Sequence, residues 1–184
     1  MAVLISMLRG VNLGPHNRIK MDELRGLYEA LRLESPRSYV QSGNVIFRTK
    51  EKNSPQLMKK IQAGIRKKFG CCPEVILRTT EELRRVIAAN PFPEQTKSEP
   101  AKVLVTFLAG EPPRDAEANL NKFKDFPERL HLDGRELYIY FPNGAGRSKL
   151  PWSAVDKFLK VTGTARNWNS VQAMLEIAEE MEDE

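Results

Sequence analysis

Two sets of polar residues in this 184-residue chain have types and spacing suited to holding an anion. The first is Arg9 and Asn12, then Lys20, then Gln41, Ser42 and Asn44. Together they supply two cations and several neutral donors with little acid expected nearby, which suits a phosphate or carboxylate and needs no metal. The plainer reading is a polar network that pins a long loop, with Asn and Gly making its turns. The second set is Arg147, Ser148 and Lys149, in the glycine-rich run Asn143 to Lys149, together with Arg166 and Asn167 ahead of the last helix. A glycine-rich turn with cations before a helix can nest an anion. It lacks the P-loop spacing, and a flexible surface loop explains it as well. Arg166 could equally pair with the acidic tail, and Trp168 reads as a core anchor.

No catalytic constellation accompanies these donors, so catalytic residues stay unassigned and the reaction class stays open. The two histidines, His16 and His131, offer neither a Ser–His nor a Cys–His pair and rule out a His-rich metal site. Cys71 and Cys72 are adjacent, follow a glycine and precede a proline. They can build neither a disulfide framework nor a metal cage and read as packing residues of a reduced compartment. Neither a cofactor nor a metal is expected.

The charge is unevenly spread. The chain carries 29 basic and 24 acidic residues, a formal charge of +5. Residues 1–80 hold 15 basic and 6 acidic residues, whereas residues 167–184 hold 6 acidic and none basic. A basic half fits a phosphate, a nucleotide or a nucleic acid, and equally a solvated face that aids solubility. The acidic tail reads as the exposed end of a helix. Tyr138 and Tyr140 alternate onto one strand face, where aromatics could stack on bases, or could simply pack. No apolar run reaches the ~18 residues of a membrane-crossing helix. The first residues lack a signal-peptide pattern, so a cytoplasmic location is expected and no membrane partner.

The elements that must position the donors follow from periodicity. Val3 to Leu8 reads as a strand, residues 20–31 as a helix, 38–41 and 44–49 as strands around the Ser42-Gly43 turn, 54–69 as a helix and 75–79 as a strand. This β-α-β-β-α-β order is the ferredoxin-like one. In it the first two strands run parallel, so Arg9 and Asn12 reach the same end of the sheet as Gln41 to Asn44. The first helix starts at that end too, and its N-terminus favours an anion. Thr79 to Glu82 forms a capping box for a short helix, and the polar stretch 94–101 reads as a linker.

The second half repeats the order. Val3 to Gly10 aligns with Val103 to Gly110, identical or similar at every pair except Arg9 against Ala109. Helix, hairpin and helix follow, the hairpin turning at Asp133-Gly134. The expectation is an α+β protein of duplicated ferredoxin-like units: residues 1–93, a linker at 94–101, and 102–184. The second unit would have an irregular end, a stunted strand at 161–165 and an added C-terminal helix capped by Asn169-Ser170.

The assembled motifs resemble a known family. Leu8 to Gly14, Lys20-Met21 with Leu24-Arg25, and Tyr39 to Phe47 look like the signature of the bacterial "domain of unknown function 1697". Gly146 to Leu150 and Thr164 to Val171 look like its second signature. The likeness spans nearly the whole chain, with Pro15-His16 departing where the family commonly carries a second glycine. It implies an α+β fold of ferredoxin-like repeats and brings no reaction, substrate or cofactor. The leading functional expectation is therefore a small anionic ligand, phosphate- or nucleotide-like, at the Arg9/Gln41 end of the first sheet. The alternatives are nucleic-acid binding by the basic half and an enzyme of unidentified reaction. Oligomeric state is not written in the sequence.

Overall fold

The computed structural model describes residues 1–184 as an α+β protein with two four-stranded antiparallel sheets and seven helices. The first sheet is built from β1 (Ala2–Leu8), β2 (Glu34–Tyr39), β3 (Asn44–Thr49) and β4 (Val75–Thr79), in the order β2-β3-β1-β4. Its helices are α1 (Met21–Ala30), α2 (Ser54–Phe69) and α3 (Thr80–Ala88). The second sheet is β5 (Val103–Leu108), β6 (Arg129–Asp133), β7 (Glu136–Tyr140) and β8 (Gly163–Asn167), in the order β6-β7-β5-β8. Its helices are α4 (Pro93–Ser98), α5 (Ala116–Leu120) and α6 (Trp152–Leu159), and α7 (Trp168–Asp183) follows β8.

Alternation along β1 explains its unbroken apolar run. Leu4 and Leu8 join one buried cluster with Leu24, Tyr28, Val45, Phe47, Leu57, Ile61, Ile65, Val75 and Leu77. Val3, Ile5 and Met7 point to the other face and are buried as well. A strand covered on both sides has no polar positions to alternate with. Ser6, fully buried, hydrogen-bonds the Tyr28 hydroxyl at 2.7 Å. Burial pushes the Tyr28 phenol well above its ordinary value, with the Ser6 hydrogen bond opposing weakly. α2 begins at an Asn53 cap, whose side chain accepts from the Gln56 N–H, followed by Pro55 in the first turn. It ends at Gly70, whose φ of 73° closes the last turn.

The second sheet places Leu137, Ile139 and Phe141 in a buried cluster with Leu120, Phe123, Val155 and Leu159. The two sheets share a register between their first and last strands. Leu4, Ile5, Ser6, Met7 and Leu8 pair with Thr79, Arg78, Leu77, Ile76 and Val75. Leu104, Val105, Thr106, Phe107 and Leu108 pair in the same sense with Asn167, Arg166, Ala165, Thr164 and Gly163. Each last strand runs straight into a helix. The Thr79 and Glu82 side chains exchange hydrogen bonds with each other's backbone N–H at the start of α3, at 2.8 and 3.1 Å. Asn167 Oδ1 accepts from the Ser170 N–H at 2.9 Å at the start of α7.

Several expectations are corrected here. The second half does not end irregularly: β8 is a regular five-residue strand over 163–167 rather than a stunted one over 161–165. Polar Arg166 and Asn167 hid its end. α7 begins at Trp168 with Asn167 as its cap, not Asn169-Ser170. β2 extends back to Glu34 through an irregularity between Glu34 and Arg37, with Ser35 at φ 51°. The stretch 94–101 folds as α4 and a 3-10 turn over Pro100–Lys102, with Pro93 in the first turn. The chain divides into compact units at other points. One holds Met1–Arg85 and Gln172–Glu184, the other Val86–Val171. The acidic tail thus belongs to the unit of the basic N-terminal half. Arg84 binds Glu179 at 2.8 Å and Glu182 at 2.7 Å. Arg37 pairs with Glu180 and Glu184, and Arg48 donates to the Met181 carbonyl at the end of α7. Cations there complement the helix dipole and its free carbonyls.

Candidate functional site

The C-terminal end of β1, the turn between β2 and β3, and the start of α1 meet at one end of the first sheet. β1 and β2 both run antiparallel to β3, hence parallel to each other. The Leu8 N–H donates to the Gly43 carbonyl at 3.0 Å, which closes the turn onto β1. Gly43 has φ 76°, and a Cβ there would lie 2.6 Å from Val11 and 2.9 Å from Leu8. Only glycine permits both this conformation and this approach.

Asn12 organises the loop between β1 and α1. Its Nδ2 donates to the Ile19 carbonyl at 2.9 Å and the Gln41 carbonyl at 2.7 Å, while its Oδ1 accepts from the Ile19 N–H at 2.7 Å. Asn12 itself sits at φ 55°, a conformation asparagine tolerates. Asn44, fully buried, donates to Ser42 Oγ at 2.8 Å and to the Tyr39 carbonyl at 3.3 Å. Asn12, Ser42 and Asn44 therefore hold the loop and the turn together.

A cavity of about 570 Å3 opens beside this scaffold, lined by Asn12, Gly14, Arg18, Ile19, Lys20, Glu23 and Gln41. Of the expected residues, Asn12, Lys20 and Gln41 line it. Arg9 is exposed at the strand end, its backbone N–H on the Glu74 carbonyl at 3.0 Å, and is not part of the lining. Arg18 is a lining cation that sequence reasoning passed over. Its place in the loop after Gly14 was the available signal. Lys20 precedes α1 without a side-chain cap, so the first N–H groups of that helix have no side-chain acceptor. The expectation of little acid nearby needs correction. Glu23 lines the cavity, and Asp22 and Glu23 occupy the first turn of α1, where the helix dipole favours carboxylates.

The second set does not assemble as expected. Arg166 is buried at 8% exposure, and its guanidinium donates to Thr164 Oγ1 at 2.7 Å and to the Ala165 carbonyl at 2.8 Å. Burial pushes it down to about 10. Asn167 is spent on capping α7. Ser148 Oγ accepts from the Leu150 N–H at 3.2 Å, leaving Arg147 and Lys149 as the exposed cations of that loop. Tyr138 and Tyr140 are buried and committed, their hydroxyls donating to the Val86 carbonyl and to Glu99, each at 2.8 Å. They offer no surface for stacking bases. No group of three or more His, Cys, Asp or Glu side chains could hold a metal ion. No helix is long and apolar enough to cross a membrane.

Comparison with known proteins bears on kinship. Over 96% of its length the chain is similar to 98% of a solved chain described as a conserved bacterial protein, SP0830, from Streptococcus pneumoniae. The TM-score is 0.66 and the identity 21%, a likeness of fold. No curated protein matches. The family model described as "Protein of unknown function (DUF1697)" matches residues 1–138, three quarters of the chain, and the protein therefore belongs to that family.

Proposed function

We propose that the chain is a duplicated ferredoxin-like protein whose first copy binds a small phosphorylated ligand in the cavity at the Arg9/Gln41 end of its sheet. The shared register of the two sheets, with a capped helix after each last strand, supports the duplication. The observation that carries the binding reading is the cavity wall. Arg18, Lys20 and Gln41 line one space at the uncapped start of α1. A phosphate there gains two cations, an amide and the helix N–H groups. Glu23 disfavours a bare anion of high charge and favours a ligand that also offers hydroxyl or amino hydrogens, as a nucleotide or sugar phosphate does. Arg9, at the strand end, would steer anions toward the opening and not ligate them. Asn12, Ser42 and Asn44 would hold the walls in place. In the basic half, pairing of Arg37, Arg48 and Arg84 with the acidic tail reduces the charge open to nucleic acid.

The test is thermal-shift and titration calorimetry with nucleoside monophosphates, sugar phosphates and short oligonucleotides at two salt concentrations. A ligand that binds the native state raises the melting temperature by mass action. The expected result is stabilisation by a small phosphate compound, with affinity falling about tenfold or more in Arg18→Ala and Lys20→Ala. Stabilisation by oligonucleotides alone, lost steeply with salt, would overturn the reading in favour of nucleic acid.

A further inference from the structure

The unit Val86–Val171 contains an apolar cavity of about 340 Å3 that the phosphate reading does not use. It lies between the second sheet and α6. Leu104, Thr106 and Ala165 line it from the sheet, Val155 and Leu159 from α6, and Trp152 is 38% exposed on its wall. Asp156 is the single ionisable group among the lining residues.

The shared register explains why this space is open. In the first sheet the positions paired with Leu8 and Ser6 are Val75 and Leu77. At the matching positions of the second sheet stand Gly163 and Ala165. The first copy places Tyr28 of α1 on Ser6. The matching residue Thr106 lines the cavity, and α5 is a five-residue helix against ten in α1. The covering helix is shorter too: eight residues in α6 against sixteen in α2. Val75, Leu77 and half a helix that fill the first core thus have small or shorter counterparts in the second. Gly163 carries a further demand, since a Cβ would lie 2.8 Å from Thr106 and 2.9 Å from the Phe107 carbonyl.

We propose that this cavity is a binding site for a small amine with an aromatic or branched aliphatic body, the body against Leu104, Ile139 and Trp152 and the ammonium on Asp156. Ligand sites combine a mostly apolar wall with a few placed polar groups, and 340 Å3 falls in their size range. A cavity of ~150 Å3 accepts benzene, so the space here suits one fused or two linked rings. Asp156, at the exposed rim of this apolar wall, attracts a cation and repels an anion of the same shape. The indole of Trp152 adds a face for either the ring or the ammonium.

The experiment is titration calorimetry of the full chain with 1-naphthylmethylamine, with 1-naphthoate as the same ring in anionic form. The indole N–H resonances of Trp152 and buried Trp168 are followed in parallel. The amine should bind at least tenfold more tightly than the carboxylate and should shift Trp152 but not Trp168. Asp156→Asn, at an exposed helix position, should erase that preference. Ala165→Leu, which restores the side chain found at the matching position of the first sheet, should weaken amine binding at least tenfold. Lys20→Ala should leave amine binding unchanged, which separates this site from the phosphate cavity. Equal affinity for amine and carboxylate, undiminished binding in Ala165→Leu, a response confined to Trp168, or no binding of the amine at millimolar concentration would each overturn the assignment.

Discussion

The two halves of the chain run the same strand order, with the same register between first and last strands, yet the second carries a cavity between its sheet and α6. In the first, α2 lays Leu57, Ile61 and Ile65 over Val75 and Leu77. In the second, the matching sheet residues are Gly163 and Ala165 under a helix half as long. The hairpin turns differ in the same way. Gly43 is pressed against Leu8 and Val11, while nothing lies within 4 Å of a Cβ built on Gly134. The first half thus places its polar groups at one end of a filled core and its cavity outside that core. The second carries its cavity within the layer between sheet and helix. One topology can accommodate two cavities of opposite character, because strand register determines where a side chain stands and not how large it is.

Substitution at the two turn glycines and at matched sheet positions tests this contrast. Gly43→Ala should cost about 3 kcal/mol, combining left-handed strain with displacement of Leu8 and Val11. Gly134→Ala should cost about 1 kcal/mol, since strain alone acts. Equal losses in denaturant unfolding would show that the two turns are equivalent and break the comparison. Next in size, Leu77→Ala should cost about 3 kcal/mol by opening a void in a packed core. Ala165→Leu should stay within about 1 kcal/mol of the parent, because it fills space already present.

A smaller effect concerns the loop that only the first half builds. Asn12→Ala should cost about 2 kcal/mol by stripping the Ile19 and Gln41 backbone groups of their partner. Amide exchange at Ile19 should accelerate, and unchanged exchange would mean that the loop is held by other contacts. The smallest effect is set by pH. The hydrogen bond from Arg37 holds the Glu184 carboxyl below its ordinary value. A depressed carboxyl stabilises the folded form above the unfolded value of about 4.3 and loses that contribution as pH falls through the lower folded value. Amides at the end of α7 should therefore lose protection, relative to their intrinsic exchange rates, below pH ~4, and Arg37→Ala should show that loss already at neutral pH. Glu99 is lowered in the same sense by Lys102 and Tyr140, which gives the second half a matching acid response.

Parts of the site were legible and parts were not. The meeting of Asn12 with Gln41 followed from the parallel run of β1 and β2, and Gly43 was readable as a turn residue. That Asn12, Ser42 and Asn44 spend their hydrogen bonds on the scaffold was not readable, because donors look alike in sequence whether they face a ligand or a backbone carbonyl. Arg18 was missed because nothing periodic marks a loop residue. Arg166 looked like a ligand-binding cation and is buried in β8, where its own strand supplies acceptors.

Sequence alone determined the element order, the long amphipathic α2, the Thr79 capping box and the near repetition of Val3 to Gly10 at Val103 to Gly110. Each is a local pattern, set by periodicities of two and 3.6 residues and by the chemistry of a helix end. It determined the family as well, through motifs long enough to be specific. Tertiary structure decided the division of the units, with the acidic tail paired to Arg37, Arg48 and Arg84 far earlier in the chain. It also decided that a cavity opens between the second sheet and α6. Both outcomes depend on side chains distant in sequence meeting at one place, and so on sums of volume and charge that no local window contains.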